Sequence, residues 1–276
     1  MYNPRLLDGC LPPREVAAPG FAGQIGRKIR IAGASAGANL PRMADSRRLG
    51  SLDWTRIEGD LSRDGYGVLE GMLTPAECVK LASGYDRDAA FRSRIVMAQH
   101  GFGSGEYKYY AYPLPEPSAT LRRELYEFLA PIASRWSALL GKPGYPPRHQ
   151  QFLDRCHAAK QLRPTPLLLR YGAGDYNCLH QDLYGELSFP LQVAFLLSVP
   201  GTEFSGGEFV LAEQRPRKQS RCEVVPLRQG DGVVFAVDRR PVQGKRGVYQ
   251  ARMRHGVSRV RSGRRLTLGI IFHDAT

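Results

Sequence analysis

An α+β chain is what the sequence predicts, with helical support in the N-terminal half and a β-barrel in the C-terminal half. Two patterns carry this. Over residues 118–140, Leu121, Leu125, Phe128, Ile132, Trp136 and Leu139 recur at helical spacing, with Pro131 an expected kink. A long amphipathic helix of this kind needs a sheet to cover. After Pro166 the character changes to short apolar runs broken by Gly and Pro. Strands are expected near 166–171, 191–198, 208–212, 221–225, 232–237 and 265–273, with pairing segments around Cys178 and His255. Many short strands at regular spacing indicate a barrel or sandwich.

Taken in order, residues 1–50 are rich in Gly, Ala and Pro and have no sustained period, so they are expected to be a mobile or mis-assigned leader. Met43 is a candidate for the natural start. Residues 51–164 read as the support region, and 165–276 as the barrel core of the same domain. Leu52, Ile57 and Leu61 suggest a short helix ending before Asp64-Gly65, and Tyr66-Gly67-Val68-Leu69 a strand. Thr74-Pro75-Ala76-Glu77 has capping-box spacing with Pro at the first helical position. The aromatic run Tyr107, Tyr109, Tyr110 and Tyr112 has two open readings: a substrate-facing lip, or a strand packing its rings on the core. His149 and His157 flank a helix over about 149–161 and read as surface or capping residues. His100 and His273 read as structural.

Composition narrows the class. The apolar fraction of 42% and charged fraction of 24% are ordinary for a globular chain. No apolar run approaches a membrane span, and no secretory h-region is readable. Five cysteines, odd in number and without a C-x-x-C pair, argue against a disulfide framework and for a reducing cytoplasm. Nothing calls for an obligate protein partner. The net charge of +13 is uneven: from Arg215 to Arg265 there are fifteen Lys or Arg against three acids, Glu223, Asp231 and Asp238. Such a stripe suits a polyanion, or is a solvated basic face.

The chain is organised around Arg170-Tyr171-Gly172-Ala173-Gly174-Asp175-Tyr176-Asn177-Cys178-Leu179-His180-Gln181-Asp182. On an extended segment residues i and i+2 share a side, so His180 and Asp182 can grip one ion. Two ligands from one element begin a 2-His-1-carboxylate triad, the arrangement that holds Fe(II) and leaves positions open. The next histidine is His255. Ten residues later Arg265 opens an apolar strand, and facing strands could bring His255 in as third ligand. Arg265 would then meet an anionic co-substrate, its planar fork suiting a carboxylate. Arg264 and Arg265 must face opposite ways; Arg265 is expected inward, with Thr267 on its face.

These residues resemble the Fe(II)- and 2-oxoglutarate-dependent dioxygenases, whose pattern is His-x-Asp, a distal His, then an Arg or Lys. The resemblance covers about 165–274 and includes Leu169-Arg170-Tyr171, Gly206-Gly207-Glu208-Phe209 and Gly230-Asp231-Gly232-Val233-Val234-Phe235. It implies a double-stranded β-helix, that is, a jelly-roll or cupin-like barrel, with N-terminal supporting helices. Implied ligands are Fe(II) on His180, Asp182 and His255, 2-oxoglutarate on Arg265, Thr267 and Tyr171, and O2. Arg170-Tyr171, Gly174 and Leu179-His180-Gln181-Asp182 are similar to the alkylation-repair demethylases, although Leu169 stands where those have Asn. The interval from His255 to Arg265 is more similar to prolyl hydroxylases. The C-terminal half looks most similar to a bacterial group described as oxygenases acting on damaged DNA.

The activity this implies is oxidation of a substrate C–H bond with conversion of 2-oxoglutarate to succinate and CO2. On an N-methyl group of alkylated nucleic acid, formaldehyde is released. The substrate would be single-stranded or have its damaged base extruded, with Arg239, Arg240, Lys245, Arg246, Arg252 and Arg254 holding phosphates at the mouth. The alternatives are the same chemistry on a protein side chain or a small molecule, and a non-catalytic metal-binding barrel.

Overall fold

The computed structural model describes residues 44–276, with side chains from Arg47 onward; of the leader expected over 1–50, residues 1–43, with the candidate start at Met43, lie outside the described residues, whereas 44–50 are helical and Leu49 is fully buried, so that stretch belongs to the folded part. Helices α1 (Ala44–Ser51), α2 (Trp54–Asp64), α3 (Pro75–Ser83), α4 (Ser118–Leu139) and α5 (His149–Ala158) form where local signals favour them. The Asp53 carboxylate accepts from the Arg56 N–H to cap α2, and Gly65 ends it at φ 85°, a left-handed conformation that glycine adopts without strain. Thr74 and Glu77 close the expected capping box. Helix α4 runs through Pro131 and buries Leu121, Leu125, Leu129, Ile132 and Trp136, whereas Leu139, expected on the same face, is exposed.

The strands are β1 (Tyr66–Leu69), β2 (Phe91–Val96), β3 (Gly103–Ser104), β4 (Glu106–Tyr110), β5 (Leu167–Tyr171), β6 (Tyr176–His180), β7 (Leu191–Leu196), β8 (Phe204–Gly206), β9 (Phe209–Gln214), β10 (Arg221–Val225), β11 (Gly232–Ala236), β12 (Arg239–Gly244), β13 (Gly247–Val257), β14 (Val260–Gly263) and β15 (Arg265–Ile270). A seven-stranded sheet has the order β1-β11-β7-β15-β5-β4-β2; a six-stranded sheet has β10-β9-β13-β6-β3 with β12 also on β13. All the pairings between these strands are antiparallel. From β5 onward the chain passes back and forth between the two sheets, β5, β7, β11 and β15 lying on the large one and β6, β9–β10 and β12–β13 on the small one, while β8 and β14 pair as a separate two-stranded ribbon; such passage is how a double-stranded β-helix winds. Phe209 on one sheet lies 5.0 Å from Phe235 on the other, ring centre to ring centre, so the two inner faces share a core. The support region is not only helical: β1, β2 and β4 extend the large sheet and β3 the small one. Tyr107 and Tyr109 pair with Leu169 and Leu167 of β5 and line the barrel interior, while Tyr110 stacks on Phe91.

Arg240 departs from its expected place at the mouth. Its side chain is 0% exposed. It pairs with Glu213 and donates to the Ser62 and Arg63 carbonyls at the end of α2 (2.7 and 3.0 Å). Those carbonyls have no helical partner of their own, so Arg240 fastens α2 to the small sheet and cannot touch a phosphate. His149 also departs from the surface role: it is buried, and its Nε2–H donates to the Phe272 carbonyl at 2.8 Å. His157 is half-buried and bonds the Asp274 carboxylate, which Arg122 also pairs with inside the core. Among the described residues, no helix is long and apolar enough to cross a membrane.

Burial pushes the His149 imidazole down to about 3, with the Arg122 charge adding to the effect. An unfolded histidine titrates at about 6.5. Between these values the unfolded chain binds a proton that the folded one refuses. The contribution is therefore present above about pH 6.5 and is lost as pH falls toward 3. Urea denaturation of His149→Gln is expected to show a pH slope between 6 and 4 smaller by up to about 1.4 kcal/mol per unit than the parent protein.

Candidate metal centre

The pairing of β6 with β13 builds the centre. His180 sits directly opposite His255, and cross-strand partners share a face, so both imidazoles enter the barrel, 4.2 Å apart between ring centres. A register shift between His255 and Val257 accommodates this aim. Two residues past His180, Asp182 turns in beside them. Its Oδ1 is 3.5 Å from His180 Nε2 and its Oδ2 3.3 Å from His255 Nε2. One donor atom from each residue lies within 4.8 Å of the others, which matches the expected triad.

The surroundings orient these donors. His180 Nδ1 lies 2.8 Å from the Cys178 carbonyl; that oxygen only accepts, so Nδ1 holds the proton and Nε2 presents its lone pair to the centre. Gln181, pointing the other way, donates to Asp238 and to the Met253 carbonyl (2.9 Å), tying the His180–Asp182 turn to β13. Burial opposes charge on Asp182, but the two imidazoles hold its carboxyl well below the usual carboxylate range. An ionised carboxylate between two imidazoles, with one side of the cluster left open, is a donor set suited to a divalent transition metal.

Deeper in the barrel stands Arg265, 2% exposed. Its Nη1 donates to Thr267 Oγ1 at 2.6 Å, its guanidinium lies 5.6 Å from the Tyr171 ring centre, and its buried Nε has no partner. Burial pulls its pKa down to about 10. A buried guanidinium with an orphaned N–H and, among the described residues, no paired carboxylate has the chemistry to take an anion. Tyr171 is fully buried beside it and its hydroxyl accepts from Asn177 Nδ2 at 3.3 Å. Leu196, Phe204, Val257 and Val260 complete an apolar wall. Arg264 is exposed and lines two outer cavities of about 440 and 660 Å³ together with Arg170; neither cavity includes a triad residue. The donor set and the arginine recess fit Fe(II), 2-oxoglutarate and O2.

The other cations were not gathered here. On β13, Met253 and His255 are buried while Arg252 and Arg254 are exposed, so both arginines point out of the back of the sheet. Arg239, opposite Arg252, shares that outer face and pairs with Asp238. Lys245 and Arg246 form the exposed turn between β12 and β13. His100 is exposed and stacks on Phe102. His273 is buried, with its Nδ1 accepting from the Phe189 N–H at 3.2 Å and burial pushing it down to about 4. Sequence reasoning overlooked Tyr184, whose hydroxyl donates to Asp182 Oδ1 at 2.5 Å; its only signal was standing two residues beyond Asp182.

Residues 105–275 match the model of a family described as "Oxygenase, catalysing oxidative methylation of damaged DNA". The chain belongs to this family. The oxygenase is also 51% identical over 164 residues to an uncharacterized protein of Mycobacterium tuberculosis, found in strains H37Rv and CDC 1551, with 59% of this chain and 70% of that protein aligned. Among solved structures it is similar to a Pseudomonas putida prolyl-4-hydroxylase, at 15% identity and TM-score 0.44 over 81% of this chain and 99% of that one. It is likewise similar to a Burkholderia pseudomallei oxidoreductase of the 2OG-Fe(II) oxygenase family, at 16% identity and TM-score 0.47, with 82% and 94% covered.

Substituting the triad tests the centre directly. His180→Ala and Asp182→Ala are each expected to weaken Co(II) binding by more than about 100-fold, exceeding the loss usual for outer-shell changes. Circular dichroism and Tm should stay close to the parent, since neither side chain belongs to the hydrophobic core.

Proposed function

We propose that this oxygenase uses Fe(II) and 2-oxoglutarate to oxidise an N-methyl group on alkylated nucleic acid, with single-stranded DNA or an extruded base as substrate. The observation that carries the reading is the unpaired, buried Arg265 in the same barrel as the His180, Asp182 and His255 cluster. A structural metal site has no need of a buried, unpaired arginine in the same barrel. The family description supports DNA as the substrate class.

With Fe(II), 2-oxoglutarate and O2 bound, the centre supplies oxidative decarboxylation to succinate and CO2 coupled to oxidation of a substrate C–H bond. The chain's own share is positional. His180, Asp182 and His255 would hold the metal, three donors leaving further positions for co-substrate and O2. Arg265, with Thr267 and Tyr171, fixes the far carboxylate of 2-oxoglutarate through its planar fork. Phe235 and Phe209 pack on the His255 ring at 4.6 and 6.1 Å and keep water off that ligand. Oxygen placed on an N-methyl carbon gives a hemiaminal that breaks down to formaldehyde, so the expected outcome on damaged DNA is loss of the methyl group.

The basic residues act from outside the barrel. Arg239, Arg252 and Arg254 on the outer sheet face, with Lys245 and Arg246 on the hairpin turn, would neutralise backbone phosphates away from the mouth where they were expected; Arg240 has no part in this.

Three measurements test the proposal. Arg265→Ala should raise the 2-oxoglutarate KM by at least an order of magnitude, as expected for loss of a bidentate carboxylate contact worth about 1.5–3 kcal/mol, while Arg264→Ala leaves it near the parent value. Succinate and formaldehyde release should both rise when methylated single-stranded DNA is added. In the Arg252→Glu, Arg254→Glu variant, DNA binding should weaken and its log–log salt slope should fall by roughly 1 to 2, near 0.7 per lost phosphate contact. Succinate formation indifferent to DNA would move the substrate to proteins or small molecules.

A further inference from the structure

The segment after Asp182 carries a group that the reading above does not use. The Tyr184 hydroxyl has a proton to give, and Asp182 Oδ1 is the acceptor it meets, at 2.5 Å. The ring is held in place from two sides: Tyr109 packs against it edge-on at 6.1 Å and 86°, and His273 lies 6.1 Å away behind it. Tyr109 is in turn braced edge-on by Tyr107 at 5.3 Å and by the Arg92 guanidinium at 4.5 Å over its face. Three phenol rings from β4 and the 183–190 loop thus form a wall that ends on the metal-binding carboxylate. The Tyr184 backbone is fixed as well, its carbonyl accepting from the Thr276 N–H at 3.3 Å.

From this geometry we infer that Tyr184 is a positioning residue: its phenol occupies Asp182 Oδ1 and makes the carboxylate a one-oxygen ligand through Oδ2. A carboxylate has two oxygens, and an unrestrained one can swing to place both on a metal ion. With one lone pair of Oδ1 taken by the phenol proton and the carboxylate plane held by it, the oxygen facing His255 is the freer donor for a metal. This matters because the bound co-substrate and O2 need the positions that a second carboxylate oxygen would fill. Partners that orient a ligating group tune both affinity and geometry, and the phenol does this without contacting the ion. The inference rests on the assignment of His180, Asp182 and His255 as ligands.

Tyr184→Phe removes the hydroxyl and keeps the ring that Tyr109 and His273 pack against. Co(II) titration, followed by visible absorption, is expected to show a 10- to 100-fold weaker affinity, in the range typical of outer-shell partners. The absorption bands should also shift as the carboxylate changes its mode of binding. Tyr107→Phe, one ring further from Asp182, should leave both readouts within twofold of the parent. A purely packing role, which the retained ring still fills, predicts unchanged Co(II) affinity and spectrum, and that result overturns the inference. A measurement on the unsubstituted protein covers the case of a variant that does not fold. With tyrosine labelled at 13Cζ, the Tyr184 resonance should keep its hydrogen-bonded position as Zn(II) is added; movement to the position of a free phenol would show that the metal takes both oxygens and would end the proposal. If the parent protein itself binds no Co(II) or Zn(II), the ligand assignment fails first. Equal binding by parent and Tyr184→Phe sinks only the role given to Tyr184.

Discussion

The antiparallel register between β6 and β13 is the constraint on which everything else depends. It sets His180 opposite His255, and because a strand alternates its faces, a slip of one residue would send an imidazole out of the barrel. That register is secured at several levels. Gly256 lies so close to the Asn177 carbonyl that an added Cβ would sit 2.7 Å from it, so only glycine lets the strands approach this closely. Gln181 ties the turn after β6 to Asp238 and β13. On its other edge, β13 is paired with β9 over six residues, from Arg252 to Val257. The opposition of the two imidazoles is thus a property of sheet pairing, while Asp182 is brought in by the turn just past β6.

Much of this was legible in the sequence because it rests on short-range rules. The His-x-Asp spacing, the inward aim of Arg265 against Arg264, and Thr267 on the same face all follow from a period of two. Thr74 and Glu77 announced α3 through capping chemistry that acts within one turn. The apolar strands β7, β11 and β15 were visible as runs. In each case the deciding physics lies within a few residues of the signal.

What was not legible depends on distant partners. Arg240 stands in a run of cations and reads like its neighbours; only the arrival of Glu213 and the end of α2 distinguishes it. Strand β12 was missed because Arg239-Arg240-Pro241 has turn-like composition, and its pairing with β13 is a tertiary matter. His149 looked like a helix-start residue until Phe272 supplied an acceptor from far along the chain. Tyr107 and Tyr109 offered two readings that composition could not separate, and the choice came from the pairing of β4 with β5, which sets their rings beside Leu169 and Leu167.

The three ligands are not equally sheltered. His180 keeps 34% of its side-chain surface open, against 8% for Asp182 and for His255. An ion held this way has a front and a back. Exchange with the surrounding solution would begin at the front, by His180 letting go while the sheltered pair still holds, and loading would run the same path in reverse. A metal so held would be taken up by an already folded barrel and surrendered to a chelator without unfolding it. That separates this centre from structural zinc sites, where the metal and the fold are acquired together.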